Sequence, residues 1–162
     1  MRLCLVGDFS WPQDEGMRNT AFCLVGQLSK SHNVLNLNIN DVFSVGFWKS
    51  LRDFNPEILH YIPGPSLYSF VLVKLLSFSS NKAKTVMSAT HPGINVFSNW
   101  FIPWIKPHLV LTLSAKDQEE FSCLGCKTYS VPVSVDLDKF VPVSQDVKYK
   151  LREKRVNDKD KR

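Results

Sequence analysis

The feature that most constrains the fold is a short apolar run, Leu3–Val6, which stops at Gly7. It passes through the polar loop Asp8–Gly16 into apolar positions at helical spacing: Met17, Ala21, Phe22, Leu24, Val25 and Leu28. A run that is apolar without alternation suits a strand covered on both faces, as in a parallel sheet. Parallel neighbours need a crossover between them, usually a helix. Arg2–Ser29 therefore reads as strand, loop and helix, the opening of a βαβ unit and the expected centre of a sheet.

The alternation continues. Asn33–Ile39 switches between polar and apolar residues, the mark of a half-exposed strand near a sheet edge, and Val42–Phe54 is a weakly helical connection. Glu57–Ile62 is a third strand, stopped by Pro63-Gly64-Pro65. Ser66 can cap a helix over Leu67–Phe78 that is apolar nearly all round and so is expected to be well covered. Lys84–Ala89, His108–Leu113 and Lys127–Val131 are further strands, and Ala115–Leu124 is a helix capped by Ser114. Strands and helices at this spacing predict an α/β fold: a Rossmann-like three-layer sandwich with a mostly parallel sheet of about six strands.

The formal net charge of +5 invites a nucleic-acid reading, but its location argues against one. Residues 146–162 hold eight Lys/Arg and four Asp/Glu, so four of the five net charges lie there and the rest of the 162-residue chain is nearly neutral. Interleaved signs, as in Asn157–Arg162, predict a solvated, fraying basic tail, and no nucleic-acid partner is expected. Leu3–Val6 is too short for the apolar core of a signal peptide, and no run approaches the roughly twenty apolar residues of a membrane-spanning helix. A cytoplasmic protein is expected.

Cys4 and Cys23 fall in the first strand and first helix, where a thiol acts as a small apolar side chain. Cys123-Leu124-Gly125-Cys126 has C-x-x-C spacing, but no second such pair accompanies it. Gly125 is explained as the stop of a helix before a strand.

Functional residues are expected just after the strands, because ligands of open α/β sheets gather at the carboxyl ends. The loop Gly7–Gly16 lacks both G-x-G-x-x-G and G-x-x-x-x-G-K-[ST], so neither a dinucleotide site nor a P-loop is expected. Gly16 opens the first helix with Arg18 behind it. The pair could meet a phosphate, or could form a plain N-terminal turn. His91 directly follows the fourth strand, where an imidazole can bind a sugar hydroxyl or act as general acid or base. His60 reads as a satisfied core residue, and His32 and His108 sit at element ends. No set of residues has metal-ligand spacing, and no G-x-S-x-G elbow occurs. Ile94–Ile105 is unusually aromatic. It could hold a lipid-linked or aromatic acceptor or rest on a membrane interface, or form a helix packing Val96, Trp100, Phe101 and Trp104 onto the sheet edge.

Val131-Pro132-Val133-Ser134-Val135-Asp136-Leu137-Asp138-Lys139-Phe140-Val141-Pro142 resembles the V-P-N-G-V-D-x-x-x-F-x-P pattern that closes the N-terminal domain of the retaining glycosyltransferases of family 4, which have the GT-B fold. The match is at Val131, Pro132, Val135, Asp136, Phe140 and Pro142, with Val133-Ser134 in place of N-G. Lys84–His91 is similar to that family's strand ending in a histidine, Asn55–His60 to its x-P-D-[IV]-[IV]-H strand, and Leu111–Ser114 to its strand-to-serine step. The family's turn after strand one has paired glycines, whereas this chain has Gly16-Met17.

The resemblance implies that residues 1–143 are a GT-B N-terminal, acceptor-side domain. Residues 144–162 would be a linker helix and basic tail, with the second, nucleotide-sugar-binding domain absent. It implies transfer of a sugar from a nucleotide-sugar with retention, no required metal and no other cofactor. His91 would act at the reaction centre and Gly16 and Arg18 on the donor side. Pro63, Ser66, Tyr68, Trp100 and Trp104 would shape the site of a sugar or lipid-linked acceptor. It further implies that the chain alone is inactive, with an uncovered apolar patch favouring self-association, and it allows peripheral contact at the inner face of the membrane. The alternatives are a non-catalytic module that docks on a partner chain or membrane surface, and a phosphosugar epimerase sharing the architecture.

Overall fold

The structure, a computed structural model, describes residues 1–10, 16–80, 83–89, 101–131 and 148, with Met17 described by its backbone alone. The chain divides into two compact units, Met1–Pro132 and Val133–Arg162. The expected boundary at residues 143 and 144 and the Val131–Pro142 pattern beyond Val131 lie outside the described residues.

Six strands alternate with five helices in the described part: β1 (Arg2–Gly7), α1 (Gly16–Leu28), β2 (Asn33–Asn38), α2 (Val45–Phe54), β3 (Ile58–Tyr61), α3 (Leu67–Ser79), β4 (Lys84–Ala89), α4 (Ile102–Ile105), β5 (Leu109–Thr112), α5 (Ala115–Cys123) and β6 (Thr128–Ser130). They form one sheet in the order β2-β1-β3-β4-β5-β6, every pair parallel. The expected α/β three-layer class is what the chain adopts. The apolar run of β1 is buried from Leu3 to Gly7, as a doubly covered strand requires. The alternating strand β2 lies at the edge. β1 is therefore one strand in from that edge, and β3 and β4 hold the centre that the sequence had suggested for β1.

The connection from β1 to β2 runs one way along the sheet and every later connection runs the other way, which puts α1 on one face and α2–α5 on the other. The cores agree. Leu5, Ala21 and Ile62 pack with Leu24, Val25, Leu28 and Val34 under α1. On the opposite face Cys4, Val6, Leu59, Tyr61, Met87 and Val110 meet Phe47 and Leu51 of α2, Phe70, Val73 and Leu76 of α3, Ile102 of α4 and Phe121 of α5. Phe70 and Phe121 stack with ring centroids 6.3 Å apart.

Local chemistry sets the helix ends. The Ser44 hydroxyl accepts from the Phe47 amide at 3.1 Å, and Asn55 closes α2 in the left-handed region at φ 47°, so the weakly helical connection is a regular capped helix. Ser66 and Ser114 cap α3 and α5 as expected. Gly125, at φ 74°, stops the chain after α5. The C-x-x-C pair is thereby split between an exposed Cys123 and a buried Cys126, both reduced thiols. Cys23 is exposed on α1, against the expectation of an apolar role, whereas burial pushes the Cys4 thiol up to about 12.

Two expectations about covering are corrected. α3 buries one side only, leaving Leu67, Val71, Leu75 and Phe78 exposed. In the aromatic segment the buried residue of α4 is Ile102, while Phe101 and Trp104 are exposed. A four-residue helix has room to turn only one apolar side chain fully inward. Among the described residues no helix is long and apolar enough to cross a membrane.

Candidate functional site

In the order β2-β1-β3-β4-β5-β6 the direction of winding reverses between β1 and β3, so their carboxyl ends flank the switch-point crevice where open α/β sheets take ligands. The two loops there are Asp8–Ser10, leading toward Gly16, and Ile62–Ser66.

At the end of β1, Gly7 faces Ala21 of α1. A Cβ there would meet Ala21 Cβ at 3.3 Å and Ile62 Cδ1 at 3.4 Å, so the absent side chain lets the helix close on the sheet. Asp8 follows and gathers a polar cluster. It accepts from the Ser10 amide at 2.9 Å, from the Ser10 hydroxyl, and from Arg18 Nε at 2.6 Å. Asn40, from the turn after β2, donates to Ser10 Oγ at 3.1 Å and approaches Asp8 Oδ1 at 3.4 Å. The Ser10 hydroxyl, then the Arg18 guanidinium, bring the Asp8 carboxyl down to about 2. The donor-side candidate Arg18 is thus tied to a carboxylate that is ionised at all ordinary pH values. Gly16 is the first residue of α1 with open space where a Cβ would stand, and its φ is not positive. Room, rather than backbone freedom, is what it offers.

At the end of β3, Tyr61 and Ile62 are buried and the Pro63-Gly64-Pro65 turn leads into α3. Ser66 is used structurally: its hydroxyl accepts from the Ser69 amide at 3.1 Å and lies 2.9 Å from Ser69 Oγ. Ser69 in turn donates to Gly64 O at 2.8 Å, which fixes the turn against the first coil of the helix. Pro63 is half-buried, while Tyr68 on α3 and Trp104 on α4 are exposed. Arg18 is thus placed at the end of β1 by its pairing with Asp8, Gly16 opens α1, Pro63 and Ser66 follow the end of β3, and Tyr68 and Trp104 lie on α3 and α4. His91 and Trp100 lie outside the described residues.

Of two further features, the sequence suggested only the second. A cleft of about 380 Å³ opens beside edge strand β2, lined by Phe9, Asn38, Asp41, Ser44, Gly46 and Phe47 among others. Its only local signals are the Ser44 cap and the Asn36-x-Asn38 alternation. The second is a pair inside the sheet face: His60 Nε2 lies 2.8 Å from Ser88 Oγ, and desolvation lowers the imidazole to about 4. His60 is thus a satisfied, neutral histidine, as its mid-strand position suggested. His108 is similarly engaged, with Nδ1 at 2.8 Å from Thr85 Oγ1 and 3.0 Å from the Thr85 amide. Among the described residues no group of His, Cys, Asp or Glu could hold a metal ion.

No protein-family model matches the chain, and no curated protein matches it.

Proposed function

We propose that the chain is the acceptor-side, Rossmann-like half of a retaining, family 4-like glycosyltransferase. The observation that carries this reading is the switch-point crevice, with Asp8–Ser10 after the end of β1 on one side and the Pro63–Ser66 turn after the end of β3 on the other. The V-P…V-D…F-x-P pattern supports it. In such an enzyme the nucleotide-sugar is held mainly by a second domain, and the reaction proceeds in the cleft between the two without a required metal. Here the Pro63–Tyr68 segment would present the acceptor, a sugar or lipid-linked sugar. Gly16 would leave room for the donor, and His91 would steady charge at the transferred sugar. Rate acceleration in this chemistry comes from positioning and fixed dipoles in a water-poor cleft. One half of a cleft supplies neither, so the reaction would need both halves.

The test is an amide-resolved NMR titration with methyl glycosides of common hexoses and, separately, with UDP-glucose and GDP-mannose. The reading expects glycosides to shift the amides of Gly64, Ser66 and Tyr68 at millimolar concentration. It expects nucleotide-sugars to bind no tighter than about millimolar. Micromolar nucleotide-sugar binding, or glycoside shifts confined to other elements, would refute it. A second reading, a non-catalytic docking module, is favoured by the exposed apolar stripe of α3.

A further inference from the structure

We infer that the outer face of α3 and α4 is an interfacial docking surface for an anionic lipid bilayer. Leu67, Val71, Leu75 and Phe78 recur at i, i+4, i+8 and i+11, which puts them on one stripe of α3 about 16 Å long. They are 41%, 43%, 50% and 76% exposed, although the outward side of a surface helix is ordinarily where charged residues go. α4 packs against α3 and adds Phe101 and Trp104, the latter 81% exposed. Trp beside an aliphatic stripe is the composition of the headgroup boundary, where an amphipathic ring is favoured.

Charge selects the occupant. No Asp or Glu occurs between Glu57 and Asp117, a stretch that carries five lysines. Lys74 lies on the stripe itself, with Nζ 5.3 Å from the Phe78 ring centroid, so its stem covers apolar surface while its ammonium reaches the rim. Lys106 follows α4 and donates to Gly125 O at 2.6 Å, past the end of α5. A second copy meeting α3 across a two-fold axis would set Lys74 against Lys74, with no carboxylate on α3 or α4 to separate them. A bilayer containing acidic lipid supplies both apolar depth and counter-charge. α5 carries the exposed Glu119 and Glu120, which confines the contact to α3 and α4. α3 has 13 residues, too few for the roughly twenty that cross a bilayer, so it lies in the plane of the interface. This inference does not depend on the glycosyltransferase reading.

Co-sedimentation tests it, using the full chain with phosphatidylcholine vesicles and with vesicles in which part of the phosphatidylcholine is replaced by phosphatidylglycerol. Binding is expected to the anionic vesicles, weakened by salt, and reduced about tenfold or more in the L75E/F78E variant. Both substituted positions are exposed, and circular dichroism checks that the fold is intact. Y129E, at an exposed position on β6, should bind as the parent does. Undiminished binding by L75E/F78E would assign the affinity to the basic tail and overturn the inference. So would equal binding to neutral vesicles, or a concentration-dependent dimer lost in L75E/F78E without vesicle binding, which would assign the stripe to a second copy.

Discussion

His60 Nε2 lies 2.8 Å from Ser88 Oγ across the β3–β4 pair, on a sheet face where burial holds the imidazole neutral down to about pH 4. In the unfolded chain a histidine takes up its proton near 6.5. Between these values the unfolded state binds more protons, so stability rises with pH across that window and is fully present above it. The full shift corresponds to at most about 3 kcal/mol, less what residual solvent exposure screens. Urea midpoints should fall as pH drops from 6.5 toward 4, and His60→Leu should flatten that dependence. An unchanged slope in the variant would assign the effect to another group.

Asp8 and Arg18 make a different kind of pair. Their side chains are 26% and 21% exposed, so each of Asp8→Asn and Arg18→Ala should cost only about 1 kcal/mol or less. The Asp8 carboxyl titrates near 2 in the fold against 3.8 when unperturbed, so its contribution is present above pH 3.8 and lost as pH falls through the folded value. The functional consequence is the sharper measurement. Neutralising Asp8 removes one carboxylate from beside Arg18, so Asp8→Asn should strengthen the response of nearby amides to inorganic phosphate, while D8N/R18A should erase the gain. A response equal in both variants would mean that Arg18 does not receive the anion.

The sequence made some of this plain and concealed the rest for physical reasons. Strand positions were legible because Leu3–Val6 and Lys84–Ala89 carry the continuous or alternating apolar pattern that a sheet demands, and Ser66 and Ser114 announced their helices. Strand order was not, because no local pattern says which neighbour a strand pairs with. The Asp8–Asn40 contact, for instance, joins residues 32 apart. α3 misled because apolar composition is silent about direction: Phe70 and Phe78 look alike in the chain, yet one is fully buried and the other is mostly in solvent. Gly7 looked like a strand terminator, and only the distance to Ala21 shows it as a packing contact.

That contrast within α3 is measurable. Phe70→Ala removes a ring stacked on Phe121 in the core and should cost about 3–5 kcal/mol. Phe78→Ala, at 76% exposure, should change folding stability by no more than about 0.5 kcal/mol. Comparable losses from both would mean that the outer stripe is covered in solution.

Helix ends give a third check on local geometry. Ser44→Ala deletes the cap of α2 and should cost about 1 kcal/mol. Asn55→Gly should be neutral or better, because glycine adopts φ 47° without penalty, whereas Asn55→Val should lose about 1–2 kcal/mol. Chemical denaturation of the three variants checks the order, and equal stability of the glycine and valine variants would contradict the left-handed cap.

Gly7 and Ala21 should be coupled. Adding a methyl in Gly7→Ala brings its Cβ to 3.3 Å from Ala21 Cβ and 3.4 Å from Ile62 Cδ1, tight enough that α1 must shift by a few tenths of an ångström. Overpacking of this kind costs about 1–3 kcal/mol. Ala21→Gly alone should cost about 1 kcal/mol through helix propensity and lost burial. In G7A/A21G the methyl removed from the helix makes room for the one added to the strand, so the double variant should be more stable than the two single losses predict. A double-mutant cycle by urea unfolding reads the difference directly. Strict additivity would mean that the helix and strand do not touch at this point, and that α1 is positioned by its packing on Leu5, Ile62 and Val34 instead.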